Sequence, residues 1–353
     1  MEMTIRIIRA EAQLCVEVRE QSDIGECRRT ASRLAQGRGF DEEEVGKVSI
    51  VAAELATNLV RHGGGGAMLL QLLEDGAMTQ LEMVAIDRGP GMRDVAECMR
   101  DGYSTAGTPG TGLGAASRLS AAFDLFSVRG KGTVVLSRVA RKPEAGARSA
   151  GASGRQPIGD RLEFGVICVP LAGETACGDA WRIAEDDATI SLLVTDGLGH
   201  GPLAAAASST ATEAFEERPF DDPVSMMQRL HQRLTGGRGA VAACAQLRPA
   251  SGKLDYAGVG NISGVIVEPS RSRGMVSLNG TLGVMAPRSR QFDYDYGTDG
   301  VIVMHSDGLS ARWQLADYPG LLLRHAAIIA AVLFRDCARK RDDATVLVAR
   351  HRP

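Results

Sequence analysis

Aromatic residues are scarce: eight Phe, five Tyr and two Trp in 353 residues. The cores must therefore be aliphatic, and the stacked aromatic platforms used by single-strand nucleic-acid binders are missing. An excess of one charge is missing too. Forty basic residues against 43 acidic leave a formal charge of −3, which argues against a general nucleic-acid binder. The seven cysteines, at positions 15, 27, 98, 168, 177, 244 and 337, contain no CxxC pair. Neither a zinc ribbon nor a disulfide framework is expected from them. No apolar run reaches bilayer length: the most apolar late stretch, Leu321–Phe334, is interrupted by Arg324 and His325. Met1–Ala10 alternates apolar and charged residues without the apolar segment of a secretory signal. The Gly-rich segments carry no GK[ST], so there is no P-loop. These absences lead to the expectation of a cytoplasmic protein with neither membrane nor nucleic-acid partner.

What is present is enough apolar sequence, 44% against 24% charged, for two ordinary domains at about 150 residues each. One stretch, Arg141–Gly159, is rich in Gly, Ala, Ser and Pro, lacks apolar periodicity, and carries four basic residues against one acidic. It reads as a flexible linker spanning roughly 24 Å as a coil. The boundaries expected are a first domain at 1–140, the linker at 141–159 and a second domain at 160–353.

In the first domain Met3–Ile8 and Cys15–Val18 read as strands, and Asp23 with Glu26 as a capping box opening a helix to about Gln36. A second helix starts near Asp41, with the apolar stripe Val45, Val48, Ala52, Leu55 and Leu59. Glu54 and Asn58 fall one turn apart on the edge of that stripe. An amide oxygen suits Mg²⁺, and a nearby carboxylate can take a proton from an attacking hydroxyl. Strands are expected at Ala67–Leu73 and Leu81–Ile86. Asp87-Arg88-Gly89-Pro90-Gly91 then places a carboxylate where it could accept a hydrogen bond from an adenine amino group, with glycines permitting close backbone approach. The run Gly107 to Gly114 opens a short helix near Leu113–Ala122, and its amides could cradle phosphates. Strands at Asp124–Val128 and Thr133–Val139 complete the domain.

In order and spacing these three segments resemble the GHKL ATP-binding fold, with Gly132-Thr133 matching its last small motif. The compactness and the run Asp101 to Thr105 are similar to the small anti-sigma and switch serine kinases of bacterial partner-switching modules. The resemblance implies an α/β sandwich that binds ATP and Mg²⁺. It implies Asn58 on the Mg²⁺, Glu54 as catalytic base and Asp87 on the adenine, with Gly89, Gly91, Gly110, Thr111, Gly112, Gly114 and Thr133 shaping the pocket and lid. His62, just past the helix motif, could touch phosphate or a partner.

The second domain reads as strands at Leu162–Val169, Trp181–Ala184, Thr189–Thr195, Ala240–Leu247, Leu254–Gly258, Ser263–Glu268, Val301–His305 and Ala344–Ala349. Helices fit Pro202–Glu217, Pro223–Leu234 and Leu321–Cys337, the first two with Pro in the opening turn. Acidic residues stand at strand ends in Gly178-Asp179, in Asp196-Gly197-Leu198-Gly199-His200-Gly201, in Ser306-Asp307-Gly308 and in Asp342-Asp343-Ala344-Thr345. Carboxylates so placed can share divalent cations, and an all-oxygen set suits Mg²⁺ or Mn²⁺. Together these motifs, with Tyr256 to Asn261, resemble the SpoIIE branch of the metal-dependent (type 2C) serine/threonine phosphatases. That resemblance implies an αββα sandwich, so the chain as a whole is α+β. It further implies two Mg²⁺ or Mn²⁺ ions on Asp179, Asp196, the Gly197 carbonyl, Asp307 and Asp342, with Asp196 bridging. His200 is a candidate acid for the leaving serine oxygen. Asp343 replaces an Asn common among relatives, and no motif fixes a phosphate-binding arginine.

The function expected is a fused switch kinase and phosphatase. It would add phosphate to, and remove it from, a serine or threonine of a STAS-domain anti-anti-sigma protein, in control of a sigma factor. Two alternatives stay open at this point: a phosphatase whose first domain only senses nucleotide or docks a partner, and an anti-sigma factor acting by sequestration.

Overall fold

The computed structural model describes residues 5–76, 78–99, 112–142, 161–285 and 289–352. The chain divides into two compact units: Gln13–Arg155, and Met1–Ala12 together with Gln156–Pro353. The opening strand β1 (Arg6–Ala10) belongs to the second of these, pairing antiparallel with a strand about 175 residues later, Ile8 facing Ile183. The strand expected at Met3–Ile8 therefore exists, shifted, but it completes the C-terminal unit. Alternation of side chains shows that a segment is a strand without naming its partner.

The Gln13–Arg155 unit follows the order β2 (Leu14–Val18), α1 (Gln21–Gly37), α2 (Glu42–Arg61), β3 (Gly66–Asp75), β4 (Met78–Asp87), α3 (Val95–Cys98), α4 (Gly112–Leu119), β5 (Ala122–Val128) and β6 (Gly132–Ala140). Its antiparallel sheet runs β2-β3-β4-β6-β5. The helix α1 begins two residues before the expected cap. Glu20 is the N-cap, and Asp23 accepts from the Glu20 N–H at 2.9 Å, so Asp23 closes the capping box that sequence assigned to it as opener. The helix α2 starts as expected: Asp41 accepts from the Glu44 N–H at 2.8 Å, and Glu44 returns the bond to the Asp41 N–H at 2.7 Å. Its stripe Val48, Ala52, Leu55 and Leu59 is buried with Cys27, Ala31 and Ala35 of α1 against Met68, Leu70, Leu81 and Met83 of the sheet.

The other unit adds to β1 the elements β7 (Leu162–Val169), β8 (Asp179–Glu185), β9 (Ile190–Gly197), α5 (Pro202–Glu217), α6 (Pro223–Leu234), β10 (Ala240–Arg248), β11 (Lys253–Val259), β12 (Ser263–Glu268), β13 (Arg271–Met275), β14 (Ser277–Leu278), β15 (Phe292–Asp295), β16 (Val301–His305), α7 (Ala326–Cys337) and β17 (Ala344–His351). One sheet has the order β14-β11-β10-β9-β8-β1, with β15 also on β11. The other runs β13-β12-β16-β17-β7. Helices α5 and α6 bury Ala211, Phe215, Met226 and Leu230 against the first sheet at Leu193, Ala242 and Cys244. Helix α7 covers β7 and β17 of the second sheet. Between the sheets Phe164 of β7 packs on Trp181 of β8, ring centres 6.4 Å apart. The order helix, sheet, sheet, helix is the expected αββα sandwich.

The third helix is shorter than expected. Leu321–Leu323 form a single 3-10 turn, and α7 restarts behind His325, whose Nδ1 accepts from the Ala327 N–H at 3.1 Å. Strands β13, β14 and β15 were not anticipated; β13 and β15 are mostly exposed and charged, so they lack the apolar alternation that marks the others. Among the described residues no helix is long and apolar enough to cross a membrane.

Candidate functional site

The chain carries two candidate sites, one per unit. In the Gln13–Arg155 unit Glu54 and Asn58 lie half-buried on α2. A Cβ on Gly112, at the start of α4, would come within 2.9 Å of Glu54 Oε2, so the carboxylate lies against that helix start. Among the described residues the Asn58 Nδ2 is buried without a hydrogen-bond partner, a cost of about 1–3 kcal/mol that a ligand accepting from it would remove. Asp87 ends β4, and its Oδ1 accepts from the Gly89 N–H at 2.8 Å and the Thr133 N–H at 3.1 Å. Those two bonds fix the carboxylate and tie the Gly89 loop to β6. Gly132, at φ +89°, packs so closely that a Cβ there would stand 2.2 Å from the Asp87 carbonyl oxygen. The loop is also clasped to the β5–β6 hairpin: the Met92 N–H donates to Ser127 Oγ at 2.7 Å and the Gly130 N–H to the Pro90 carbonyl at 2.8 Å. The structure thus gathers Glu54 with Gly112, and Asp87 with Gly89 and Thr133. Gly91 lies in the clasped loop and Gly114 in α4. Gly110 and Thr111 lie outside the described residues, as do Asp101 to Thr105. His62 is the exposed C-cap of α2.

In the αββα unit the acidic motifs converge at one end of the two sheets. Asp179 opens β8 and Asp196 nearly closes β9, and the two are direct cross-strand partners. Asp307 directly follows Ser306 after β16, and Asp342 and Asp343 precede β17. Ser306 links the sheets: its hydroxyl donates to Asp179 Oδ2 at 2.6 Å and accepts from the Thr345 N–H at 3.0 Å. Asp307 Oδ2 accepts from Asn261 Nδ2 at 2.7 Å. Burial, opposed by hydrogen bonds from Ser306 and Thr345 and reinforced by Asp343 and Asp342, raises the Asp179 carboxyl to about 7. Burial and the charges of Asp179, Asp307, Asp342 and Asp343 push Asp196 up to about 8. Asp307 is also raised, by burial and then by Asp342. Carboxylates that oppose one another's ionisation in this way are a donor set that a divalent cation would relieve. Among the described residues no three acidic, His or Cys side chains already stand grouped as a finished cation site. What fits is the chemistry: carboxylate and carbonyl oxygens only.

Asp343 is a different case from its neighbour. It is buried, with Oδ1 accepting from the Leu171 N–H at 2.6 Å and Oδ2 from the Gly178 N–H at 2.8 Å. Both oxygens are spent fixing the loop that leads into Asp179. Gly197 is confined as well, since a Cβ would meet the Ala204 carbonyl oxygen at 2.1 Å. His200 is exposed and its Nδ1 lies 2.7 Å from Glu174 Oε1. Glu174, Asn261 and Ser306 were not singled out by sequence as site residues. Asn261 sits in the Gly-rich segment Tyr256 to Asn261 and Ser306 in the Ser-Asp-Gly motif, so both were within reach. Glu174 carries no local signal, because its partner is 26 residues away.

The comparisons with known proteins also divide the chain in two, with β1 inside the first match. Residues 3–138 match the family described as histidine kinase-like ATPase domain, and residues 186–352 match stage II sporulation protein E (SpoIIE). The serine/threonine-protein kinase RsbT of Bacillus subtilis (strain 168) is 33% identical over 123 residues, 35% of this chain and 92% of that protein. The phosphoserine phosphatase RsbX of the same organism is 27% identical over 139 residues, 39% of this chain and 70% of that protein. A solved structure from the bacterial stressosome, a modular system adapted to control secondary messenger signalling, matches with TM-score 0.50 and 32% identity. It covers 54% of this chain and all of its own. The chain therefore belongs to two families at once, an N-terminal histidine kinase-like ATPase domain of the RsbT type fused to a C-terminal SpoIIE/RsbX-type PP2C phosphatase domain.

Proposed function

We propose that the chain is a bifunctional partner-switching regulator. One unit phosphorylates, and the other dephosphorylates, a serine or threonine on a STAS-domain antagonist. The observation that carries the reading is the pair of buried carboxylates Asp179 and Asp196, set opposite each other across β8 and β9 with Asp307, Asp342 and Asp343 near enough to raise Asp196 further. In that unit Asp179, Asp196, the Gly197 carbonyl, Asp307 and Asp342 would hold two Mg²⁺ or Mn²⁺ ions, with Asp196 shared. Ions so held supply a water of lowered pKa and neutralise charge on the phosphate. Ser306 keeps Asp179 oriented, Asn261 does the same for Asp307, and Asp343 fixes the loop before Asp179. His200, steered by Glu174, delivers the proton that the leaving serine oxygen needs.

In the other unit Asp87 reads the adenine amino group, Asn58 holds the Mg²⁺ that accompanies ATP, and Glu54 takes the proton of the attacking hydroxyl. Gly89, Gly91 and Thr133 shape the base pocket, while Gly110, Thr111, Gly112 and Gly114 form the lid. The buried Asn58 Nδ2, without a partner among the described residues, is a donor left free for a phosphate oxygen of the nucleotide, while its amide oxygen is the atom that would meet the ion. The likeness of the two halves to RsbT and RsbX supports a STAS-domain protein as the substrate class that both sites would share, with a sigma factor downstream.

The test is to incubate the full chain with candidate STAS proteins and γ-labelled ATP in Mg²⁺, then add Mn²⁺. Label should enter the STAS protein and then be released. Asn58→Ala should stop entry and Asp196→Ala should stop release. If neither substitution changes the label, the site assignments are wrong.

A further inference from the structure

Beside the loop that follows Asp196 lies a cation that nothing so far has used. Strand β10 pairs with β9 so that Ala240 faces Gly197 and Val241 faces Asp196. One residue back, the Gly239 carbonyl accepts from the Leu198 N–H at 3.1 Å. One residue further, Arg238 donates from its guanidinium to the Leu198 carbonyl at 3.3 Å. The Asp196–Gly201 loop and the loop before β10 are thereby zipped together. The guanidinium stands over Gly199, so close that a Cβ there would lie 2.9 Å from its nitrogen. Among the described residues Arg238 has no carboxylate partner, whereas the neighbouring Arg233 is paired with Glu217. An exposed guanidinium without a counter-charge, held at the loop that carries Asp196 and His200, is suited to a phosphate dianion.

Arg238 also borders a groove of about 230 Å³, whose apolar lining includes Leu203, Ala206 and Ala207 of α5 and Leu234 of α6. Leu203 is 64% exposed and Leu198 38% exposed. Large apolar side chains left in water beside a reactive mouth are the usual mark of a surface that a partner covers. Charge chooses the partner: Arg233 is neutralised by Glu217, so the groove offers one net cation at its end and apolar surface along its floor.

We propose that Arg238 and this groove form the substrate-recognition subsite of the phosphatase unit. The guanidinium takes the phosphate of a phosphoserine or phosphothreonine segment, and the groove takes an apolar side chain beside it. This rests on the phosphatase reading above, to which it adds a phosphate-binding arginine and a sequence preference.

The test uses fluorescein-labelled heptapeptides with a non-hydrolysable serine phosphonate at the centre, flanked by leucines or by aspartates. They are titrated with the full chain in Mn²⁺ and followed by anisotropy. The leucine peptide should bind about tenfold or more tighter than the aspartate peptide. Arg238→Ala should weaken the leucine peptide by about 10- to 100-fold, Arg238→Lys should recover part of that, and Leu203→Asp should narrow the leucine-over-aspartate ratio. Equal binding of the leucine peptide by wild type and Arg238→Ala, or of both peptides by wild type, overturns the proposal. Hydrolysis of the matching phosphoserine peptide is measured in parallel. Its absence, with Arg238-dependent binding intact, would refute the phosphatase reading and leave a phosphopeptide-binding site standing.

Discussion

Asp179 and Asp196 face each other across one antiparallel pair, and burial first, with the surrounding carboxylates adding to it, holds both carboxyls well above the ordinary range. A residue placed so is costly to the fold by itself and is kept for what binds it. Asp196→Asn should lower Mn²⁺-dependent release of phosphate from a phosphoserine peptide by about two orders of magnitude or more. It should also remove the rise in melting temperature that Mn²⁺ gives the wild-type chain, measured by differential scanning fluorimetry. ATP affinity should stay as in wild type. Retention of both the Mn²⁺ shift and the turnover would remove Asp196 from the site. In the other unit Asp87→Asn keeps an oxygen for the Gly89 and Thr133 N–H groups but puts an amide where an adenine amino group would donate. ATP affinity, read by calorimetry, should fall about tenfold; an unchanged value would place the adenine elsewhere. Asp179, Asp196, Asp307 and Asp342 each carry a local mark in sequence, a glycine or threonine within a few residues, and the structure brings them near one another. The roles of Asp343 and Glu174 were not legible in sequence. Asp343 reaches Leu171 and Gly178 across 172 and 165 residues, and no local pattern encodes a contact of that range.

Elements were legible where a one-sided apolar stripe marks a helix or a short apolar run bounded by polar or turn residues marks a buried strand. The helices Pro202–Glu217 and Pro223–Leu234 and the strands Leu162–Val169, Ser263–Glu268 and Val301–His305 agree with expectation to the residue. The helix expected from Leu321 failed because Arg324 and His325 interrupt an otherwise apolar run, and the His325 side chain supplies a new cap. Strands β3, β4 and β6 hide a feature of another kind. Gln71, Glu82 and Arg138 lie side by side in register, all buried. Gln71 Nε2 donates to Glu82 Oε1 at 2.5 Å, and Arg138 Nε donates to Glu82 Oε2 at 2.7 Å. A polar rung of this sort is stable only while complete. Arg138→Met should therefore cost about 3–5 kcal/mol by stranding the Glu82 charge. In thermal denaturation that appears as a loss of about 10 °C or more for the ATPase unit. Adding Glu82→Gln to Arg138→Met should restore part of the loss. A melting temperature unmoved by Arg138→Met would mean the rung contributes nothing.

At the scale of the whole chain the boundary is double. Sequence composition pointed to one linker at Arg141–Gly159, yet the chain also passes between units near Ala12, because β1 is a strand of the phosphatase sheet. Ile8 is buried there, opposite Ile183. Expression of residues 156–353 alone should give a phosphatase unit that is less stable and more prone to associate than the same unit in the intact chain, since β8 then exposes unpaired backbone. Adding a peptide of residues 1–12 in excess should raise its melting temperature. No response to the peptide would show that β8 does without its partner.

The same pairing sets an order in time. Ile8 leaves the ribosome about 175 residues ahead of Ile183, a delay of roughly 9–35 s at ordinary synthesis rates. Within that interval every residue of Gln13–Arg155 is made, before the β8 partner of the first strand exists. The β1–β8 pair can form only on a chain whose residues 13–155 have already been translated, so this one pairing is late in synthesis although its first strand is early.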